Sequence, residues 1–246
     1  MSNDFDKDTL AALDSIDKVN PFATYLEDST LSRVGGWIDT GSYVLNAIVS
    51  GSIHGGIPKG RVTMLGGESM TGKTLFVLKI LANAQKEGLI PVIFDTENAV
   101  DPEGAERIGL DISKVKYVPC VTIEQTRNAL YKFLTSVKEK GLEGKFIVAI
   151  DSLGNLQSEL EHSRMGKEST ASDMGSKARA MKSLMQTCTN LGATTQTTVL
   201  ATNHVYDDPS AMFPSIEKHM PGGKSIVYLP SVTVQLARKP MKSDGG

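Results

Sequence analysis

The chain has 246 residues, of which 40% are hydrophobic and 22% charged, as is typical of a globular protein with a sizeable core. Twenty-six Lys and Arg against 28 Asp and Glu give a net charge of −2, so any polyanion would have to be bound by local patches. The longest apolar runs, 89–94 and 146–150, are too short to cross a bilayer, and only two cysteines exclude a disulfide scaffold or a zinc module.

The first 33 residues are more acidic than the rest of the chain, and their polar start is unlike a signal peptide. Four apolar residues recur there at helical spacing: Leu10, Leu13, Ile16 and Val19. They predict a short amphipathic helix, followed by a linker that is broken at Asn20-Pro21. Its apolar stripe must pack on the chain's own core or on a neighbouring subunit. We therefore predict an N-terminal helix with its linker at residues 1–33 and a core at residues 34–246.

Strand-like and helical patterns alternate from Gly35 onward. The predicted strands are 62–66, 90–95, 115–118, 146–151 and 197–203, and the predicted helices are 74–87, 102–108, 123–138 and 174–191. The strand at 146–151 is almost uniformly apolar, as expected where helices cover both faces of a parallel sheet. Alternating strands and helices form right-handed βαβ crossovers. The sequence therefore predicts an α/β fold, with a mostly parallel twisted sheet flanked by helices.

The last predicted strand differs from the others. Residues 232–238 alternate apolar and polar side chains, a pattern suited to an antiparallel or edge strand. This strand runs toward Asp244-Gly245, which is typical of the start of a hairpin whose returning strand is missing. We therefore expect the core to be incomplete at its C-terminal end.

The strongest motif follows the first of these core strands. It matches G-x-x-x-x-G-K-[ST] and predicts eight nucleotide-binding residues: Gly67, Glu68, Ser69, Met70, Thr71, Gly72, Lys73 and Thr74. In such a loop the backbone N–H groups surround phosphate oxygens, and the positive end of the next helix points at them. We expect Lys73 to contact the β- and γ-phosphates and the Thr74 hydroxyl to bind Mg²⁺.

Two other strands end in carboxylates at the sheet edge where open α/β folds bind ligands. Asp151 ends an apolar strand, and we predict that it holds Mg²⁺ or a water of that ion. Asp95-Thr96-Glu97 ends the strand after the P-loop helix. We choose Glu97 to orient or deprotonate water, because its side chain reaches further than that of Asp95. A helix-capping or solvated carboxylate is the alternative role for Glu97.

Asn203-His204 ends a further strand at the same edge, and we predict that His204 senses the γ-phosphate, a structural histidine being the alternative. Two long irregular stretches, 156–173 and 205–221, follow strands that reach this edge. Such stretches in a compact domain are usually functional or disordered. The first stretch holds Arg164 and Lys167. Together the two stretches predict that a polyanion is bound through their backbone and a few cations. Solvated loops are the alternative.

Over roughly residues 32–239 these features resemble the RecA-type strand-exchange recombinases, particularly their phage UvsX-like branch. Besides the P-loop, the resemblance is carried by segments in the family's order: 40–42, 55–60, 94–97, 101–102, 150–152, 173–179, 203–204 and 222–223. It implies a RecA-like P-loop ATPase core that hydrolyses ATP to ADP and phosphate with Mg²⁺, dependent on DNA. It also implies a filament on single-stranded DNA that pairs with homologous duplex in recombination and repair.

The resemblance further assigns roles to single residues. It makes Lys73, Glu97 and His204 catalytic, Asp101 a nucleotide contact, and Thr74 and Asp151 metal ligands. The implied DNA-binding residues are Arg164, Lys167, Met174, Gly175, Arg179, Gly222 and Gly223. Residues 1–33 would pack on the adjacent protomer, as an oligomerisation helix. The implied partners are single- and double-stranded DNA, further copies of the chain, and recombination mediator or single-strand-binding proteins, with no membrane. The implied location is the cytoplasm, that of a host cell if the chain is phage-encoded.

Two departures from the family matter for activity. Gly104 stands where many bacterial members have a Tyr that stacks on adenine, and the family's lysines that act across the subunit interface lie beyond residue 246. We therefore expect ATP binding with weak hydrolysis by this chain alone. Two alternatives remain open: a RecA-core motor such as a helicase or KaiC-like ATPase, and a nucleotide-gated mediator that does not hydrolyse ATP.

Overall fold

The computed structural model describes residues 5–20, 22–29, 31–164, 174–206 and 219–238. Two compact units are present, Met1–Arg33 and Val34–Gly246. In the first unit, helix α1 (Lys7–Asp17) begins after Asp6, whose carboxylate accepts hydrogen bonds from the backbone N–H groups of Asp8 and Thr9. Such capping satisfies donors that the first helical turn leaves without partners. The predicted N-terminal helix is therefore confirmed, although it ends before Val19.

The second unit is built on a parallel sheet with helices on both faces. Its strands are β1 (Trp37–Ile38), β2 (Ile57–Pro58), β3 (Val62–Gly67), β4 (Ile90–Asp95), β5 (Lys116–Pro119), β6 (Phe146–Asp151), β7 (Thr198–His204) and β8 (Val232–Leu236). Its helices are α2 (Tyr43–Ser50), α3 (Lys73–Lys86), α4 (Pro102–Ile108), α5 (Ile123–Glu139), α6 (Glu159–Arg164), α7 (Met174–Thr194) and α8 (Ser225–Tyr228), with short 3₁₀ turns at Ile112–Lys114 and Leu153–Asn155.

The main sheet has six strands in the order β5-β4-β6-β7-β3-β8, and all neighbouring pairs are parallel. Strands β1 and β2 form a separate antiparallel pair. This architecture confirms the predicted α/β fold. Strand β8 is at the sheet edge as predicted, but it runs parallel to β3, so the antiparallel alternative is wrong. Its alternating pattern reflects the partial cover of an edge strand and carries no information on strand direction.

The hydrophobic core lies in two layers on opposite faces of the sheet. In β6, Val148 and Ile150 pack with residues of α5 and α7, whereas Ile147 and Ala149 pack with residues of α3 and α4. Side chains of successive strand residues point to opposite faces, so a strand covered on both sides must be apolar throughout. Each large side chain buried in this way stabilises the fold by about 1.5–3 kcal/mol relative to exposure.

Strand register brings the functional strand ends together. Gly67 of β3 pairs with His204 of β7, and Asp95 of β4 pairs with Asp151 of β6. Because the strands are parallel, all four residues lie at the C-terminal ends of the strands, where ligands of open α/β sheets bind. In the part of the chain that the structure describes, no helix has the length and hydropathy needed to span a bilayer.

Candidate functional site

The P-loop turns tightly between β3 and α3. Gly72 lies in the left-handed region at φ 91°, and the Thr71 hydroxyl donates to the Glu68 carbonyl at 2.8 Å. A β-carbon added to Gly67 would lie 2.4 Å from the Thr71 hydroxyl oxygen, so no larger residue fits there without a shift. The eight residues 67–74 therefore form one closely packed loop that ends at the N-terminus of α3, a place where backbone N–H groups bind anions.

Lys73 is the cation of this loop. Its ammonium donates hydrogen bonds to the carbonyl oxygens of Gly67 at 2.9 Å and Glu68 at 2.8 Å. Only 7% of the residue is exposed, and this burial lowers the pKa of Lys73, although the negative charges of Asp151 and Glu97 oppose the shift. A phosphate at the loop can take the place of the two carbonyls as partner of this ammonium.

Asp151, whose role as a metal ligand remains a prediction, lies beside the start of α3. Its Oδ2 accepts the Thr74 hydroxyl at 2.7 Å, and its Oδ1 accepts the hydroxyl of Thr202 from β7. Burial raises the pKa of Asp151; the hydrogen bonds from Thr202 and Thr74 oppose this effect, and the charges of Glu97 and Asp95 add to it. The sequence analysis did not identify Thr202, since its contact depends on the pairing of β6 with β7.

The Thr74 and Asp151 oxygens fit a magnesium ion. This ion prefers oxygen ligands and is usually held by one or two carboxylates together with substrate phosphates. Among the described residues, no group of three or more His, Cys, Asp or Glu is placed to hold a metal. The described residues therefore offer the partial ligand set that suits Mg²⁺ next to bound phosphates, and none of them completes a protein cage.

Glu97 lies opposite the P-loop and has two donors on one oxygen. Its Oε1 accepts the Ser152 hydroxyl and lies 3.0 Å from Nε2 of His204. About a third of each side chain is exposed, 30% for Glu97 and 33% for His204. The structure thus brings two predicted catalytic residues together and adds Ser152, which the sequence analysis quoted only as part of a motif. Thr96 fixes the Ser152 backbone, because its hydroxyl bonds both the N–H and the carbonyl.

Asp95 has a different environment from Glu97. It is 1% exposed, and its carboxylate accepts hydrogen bonds from the backbone N–H groups of Glu97 and Val100 and from the Tyr117 hydroxyl. The residue therefore shapes the turn that carries Glu97. Only the Glu97 carboxylate reaches the solvent-accessible side of the site, which agrees with the choice of Glu97 over Asp95.

Asp101 caps helix α4 in this structure. Its Oδ2 accepts the backbone N–H of Gly104 at 2.9 Å and lies 3.6 Å from the Arg107 guanidinium. Both side chains of this ion pair are exposed. The predicted nucleotide contact of Asp101 remains a prediction, since the contacts present are those of a helix cap.

The predicted DNA-binding residues fall into two groups that the fold brings close. Arg164 ends α6, while Gly175 and Arg179 lie in the first turns of α7, which begins at Met174. Gly222 and Gly223 adopt φ values of 106° and 84°, and β-carbons added there would meet α7 at Met181 and Ala178, respectively. Lys167 lies outside the described residues, as do most of 205–221 and the predicted hairpin start at Asp244-Gly245.

Two further cations join this surface. Arg179, Lys182 and Lys224 line a cavity of about 440 Å³ together with Gly223 and Tyr228. Neither Lys182 nor Lys224 belongs to the predicted DNA-binding residues. The signal for Lys182 was its position three residues after Arg179, which places both on the same face of a helix. Lys224 directly follows the glycine pair.

A short stem links His204 to the glycine pair. The backbones of Tyr206 and His219 exchange two hydrogen bonds, of 3.0 and 2.9 Å. The buried side chain of Asn203 donates to the Pro221 carbonyl at 3.0 Å. The residues next to the candidate phosphate sensor are thus bonded to the segment that leads into Gly222.

Comparisons with known proteins show which family this chain matches. The family model of the RecA N-terminal domain matches residues 10–245. The chain is 33% identical over 210 residues to Protein RecA of Chlorobium chlorochromatii, covering 85% of this chain and 55% of that protein. It is 33% identical over 208 residues to Protein RecA of Frankia alni (85% and 56%) and 28% identical over 209 residues to that of Aquifex aeolicus (85% and 57%). The chain spans about half the length of these curated relatives.

Proposed function

Since the chain belongs to the RecA family, with the N-terminal domain matched over residues 10–245, we propose that it is a DNA-dependent ATPase that carries out DNA strand exchange. One observation carries the proposal. Lys73 of the P-loop, the Thr74–Asp151 pair and the Glu97–His204 pair meet at one edge of the sheet. Phosphate binding, metal binding and activation of water need these three elements within reach of one nucleotide.

ATP binding is assigned to residues 67–74. The loop amides and the N-terminus of α3 hold phosphate oxygens, and Lys73 exchanges its two carbonyl partners for phosphate. Thr74 and Asp151 would hold Mg²⁺, which would neutralise charge that develops on the phosphates. A nucleotide contact is proposed for Asp101, and Gly104 has no side chain that could stack on adenine.

Hydrolysis is assigned to Glu97. Its carboxylate accepts a proton from, or orients, the water that attacks the γ-phosphate. The Ser152 hydroxyl and His204 both bond Oε1, which leaves Oε2 of the carboxylate for water. A γ-phosphate oxygen that attracts His204 would draw it from Glu97 and thereby report the bound nucleotide to β7.

DNA binding is assigned to the surface formed by α7 and the glycine pair. The exposed cations Arg179, Lys182 and Lys224 attract the phosphate backbone, and Gly222 and Gly223 allow it to approach their own backbone closely. Arg164, Lys167, Met174 and Gly175 extend the proposed contact. Asn203, through Pro221, connects this surface to His204.

The remaining assignments concern the whole assembly. We propose a helical filament on single-stranded DNA in which residues 1–33 pack on the adjacent protomer, with mediator or single-strand-binding proteins as further partners. The cytoplasm follows as the location, because the proposed substrate is DNA. The bacterial relatives support the RecA family, whereas the phage UvsX-like branch remains a finer proposal supported by His204, where bacterial members have Gln.

The decisive experiment measures ATP turnover with and without single-stranded DNA, together with nucleotide binding. For Glu97→Gln we expect turnover to fall by about 100-fold or more, with ATP affinity nearly unchanged, because the variant keeps the side-chain shape but loses the base. Glu106→Gln, on the exposed side of α4, is the matched control and should behave as the wild type. Normal turnover by the Glu97 variant would refute the assignment. ATP binding without any wild-type turnover would point either to the lysines that the family supplies across the subunit interface, which this chain does not contain, or to the mediator. Unwinding of duplex DNA would favour the motor.

A further inference from the structure

Asp95 is a buried carboxylate that the proposed chemistry does not use. It is 1% exposed, and none of the described Lys, Arg or His residues forms an ion pair with it. Burial of a charged group is unfavourable unless hydrogen bonds replace its hydration. Three donors serve this purpose: the N–H groups of Glu97 and Val100, at 3.0 and 3.3 Å, and the Tyr117 hydroxyl at 3.1 Å.

These hydrogen bonds define the geometry of the segment that carries Glu97. Two of the three donors are backbone N–H groups of the turn, and Asn98 between them has a positive φ of 53°. Asparagine adopts this conformation more readily than most other residues besides glycine. The Asp95 carboxylate holds the turn in place, since it bonds the backbone on both sides of Asn98. Asp95 therefore supports the backbone turn that carries Glu97, while Ser152 and His204 bond the Glu97 side chain itself.

Tyr117 holds Asp95 from the neighbouring strand. It lies in β5, which pairs with β4, and its hydroxyl donates to Oδ2, the same oxygen that accepts the Val100 N–H. Tyr117 lines an apolar cavity of about 450 Å³ together with Val100, Pro102 and Ala105, which belong to the end of the turn and the start of α4. Desolvation and the hydrogen-bonded, negatively charged Asp95 carboxylate raise the pKa of Tyr117 further above its ordinary value of 10.0, and the phenol is a donor at neutral pH.

We propose that Tyr117 is a positioning residue for Glu97 and acts through Asp95. The inference rests on the proposed function, because it assigns Tyr117 to the same hydrolytic step. Loss of the phenol removes a charge-assisted hydrogen bond from Oδ2. The carboxylate is then free to rotate toward water, its bonds to the two amides weaken, and the Glu97 side chain samples positions outside the site.

The first test does not depend on activity. In Tyr117→Phe we expect the amide hydrogens of Glu97 and Val100 to exchange about five times faster, as for loss of one supporting hydrogen bond. The Cys120 amide, which bonds the Asp95 backbone carbonyl at 2.9 Å, should keep its rate and reports on strand pairing alone. Tyr131→Phe, on the exposed face of α5, is the matched variant and should change none of the three. Unchanged Glu97 and Val100 exchange in Tyr117→Phe would overturn the inference.

The second test separates positioning from general stability. For Tyr117→Phe we expect kcat for ATP to fall about fivefold with KM for ATP unchanged, since Glu97 is assigned to hydrolysis and not to binding. In the Asp95→Asn background the same change should have no further effect on kcat, because the two residues act as one unit. Equal kcat of Tyr117→Phe and wild type would overturn the inference alone. Absence of wild-type turnover with DNA would instead count against the proposed function, and amide exchange would then decide the inference.

Discussion

Nε2 of His204 lies 3.0 Å from Oε1 of Glu97, on the oxygen that also accepts the Ser152 hydroxyl. This contact joins the end of β7 to the turn after β4, two strands separated in the sheet by β6. It is the direct link between the residue assigned to hydrolysis and the strand that leads to the proposed DNA surface.

Replacement of His204 should therefore reduce the stimulation of ATP turnover by DNA. In His204→Ala we expect ATP affinity within about threefold of wild type and a DNA-stimulated rate reduced at least about tenfold. His204→Gln keeps a donor at this place and should retain part of the stimulation. ATPase assays with and without single-stranded DNA measure both. His54→Ala, far along the chain in an exposed segment, is the control, and an equal loss there would point to a general effect.

Asp151→Asn should stabilise the fold while it removes a metal ligand. Burial raises the pKa of Asp151 above its unfolded value of 3.8. Protonation of Asp151 therefore stabilises the folded state fully below pH 3.8, and this stabilisation is lost as the pH rises through the pKa of the folded state. The variant imitates the neutral form. We expect a larger free energy of unfolding at neutral pH and an ATP affinity with Mg²⁺ weaker by at least about tenfold.

Urea unfolding between about pH 4 and pH 8 measures the stability part of this prediction. Asp39→Asn is a control for which we expect the opposite change in the free energy of unfolding. Burial alone would raise the pKa of Asp39, but hydrogen bonds from Asn46 and Gly41 and the charges of Lys86 and Lys79 lower it. Its stability contribution is present above 3.8 and is lost as the pH falls, so Asp39→Asn should destabilise the fold at neutral pH. Destabilisation by both variants would contradict the assignment for Asp151.

Gly222→Ala should destabilise the fold more than Gly223→Ala. Both glycines have positive φ, which strains any other residue. At Gly222 the new β-carbon would also lie 2.2 Å from Cδ1 of Ile226, which is fully buried, whereas at Gly223 the nearest atom is 3.5 Å away. We expect losses of about 1–3 kcal/mol and about 1 kcal/mol, respectively, by urea unfolding. The reverse order would show that close packing against Ile226 is not the reason for glycine at position 222.

The cations near the glycine pair should determine the salt dependence of DNA binding. Each of Arg179→Ala, Lys182→Ala and Lys224→Ala should reduce the slope of log affinity against log salt by about 0.7 for single-stranded DNA, because one phosphate is then no longer neutralised by the protein. Lys132→Ala, an exposed cation on α5, should leave the slope unchanged. Fluorescence anisotropy with a labelled oligonucleotide at several salt concentrations measures the slope. Equal slopes for all four variants would place the DNA elsewhere.

The sequence was sufficient for the local parts of this protein. The P-loop and the strands at 90–95 and 146–151 follow from residue type and short-range pattern, so their bounds agree closely with the structure. Thr202, Ser152 and Tyr117 were not assigned roles, because each acts through a hydrogen bond to a residue on another strand. Such bonds depend on strand order and register, which periodicity within one segment does not determine. The parallel direction of β8 could not be predicted from the sequence for the same reason.

The pairing of Gly67 with His204 and of Asp95 with Asp151 also limits how this chain can change in evolution. Insertion of one residue in β4, β6 or β7 would turn every later side chain of that strand to the opposite face and separate the pairs. Length changes in the connections between strands leave the register intact. Homologous chains should therefore differ in length mainly in their connections, and substitutions at the two ends of each pair should be inherited together.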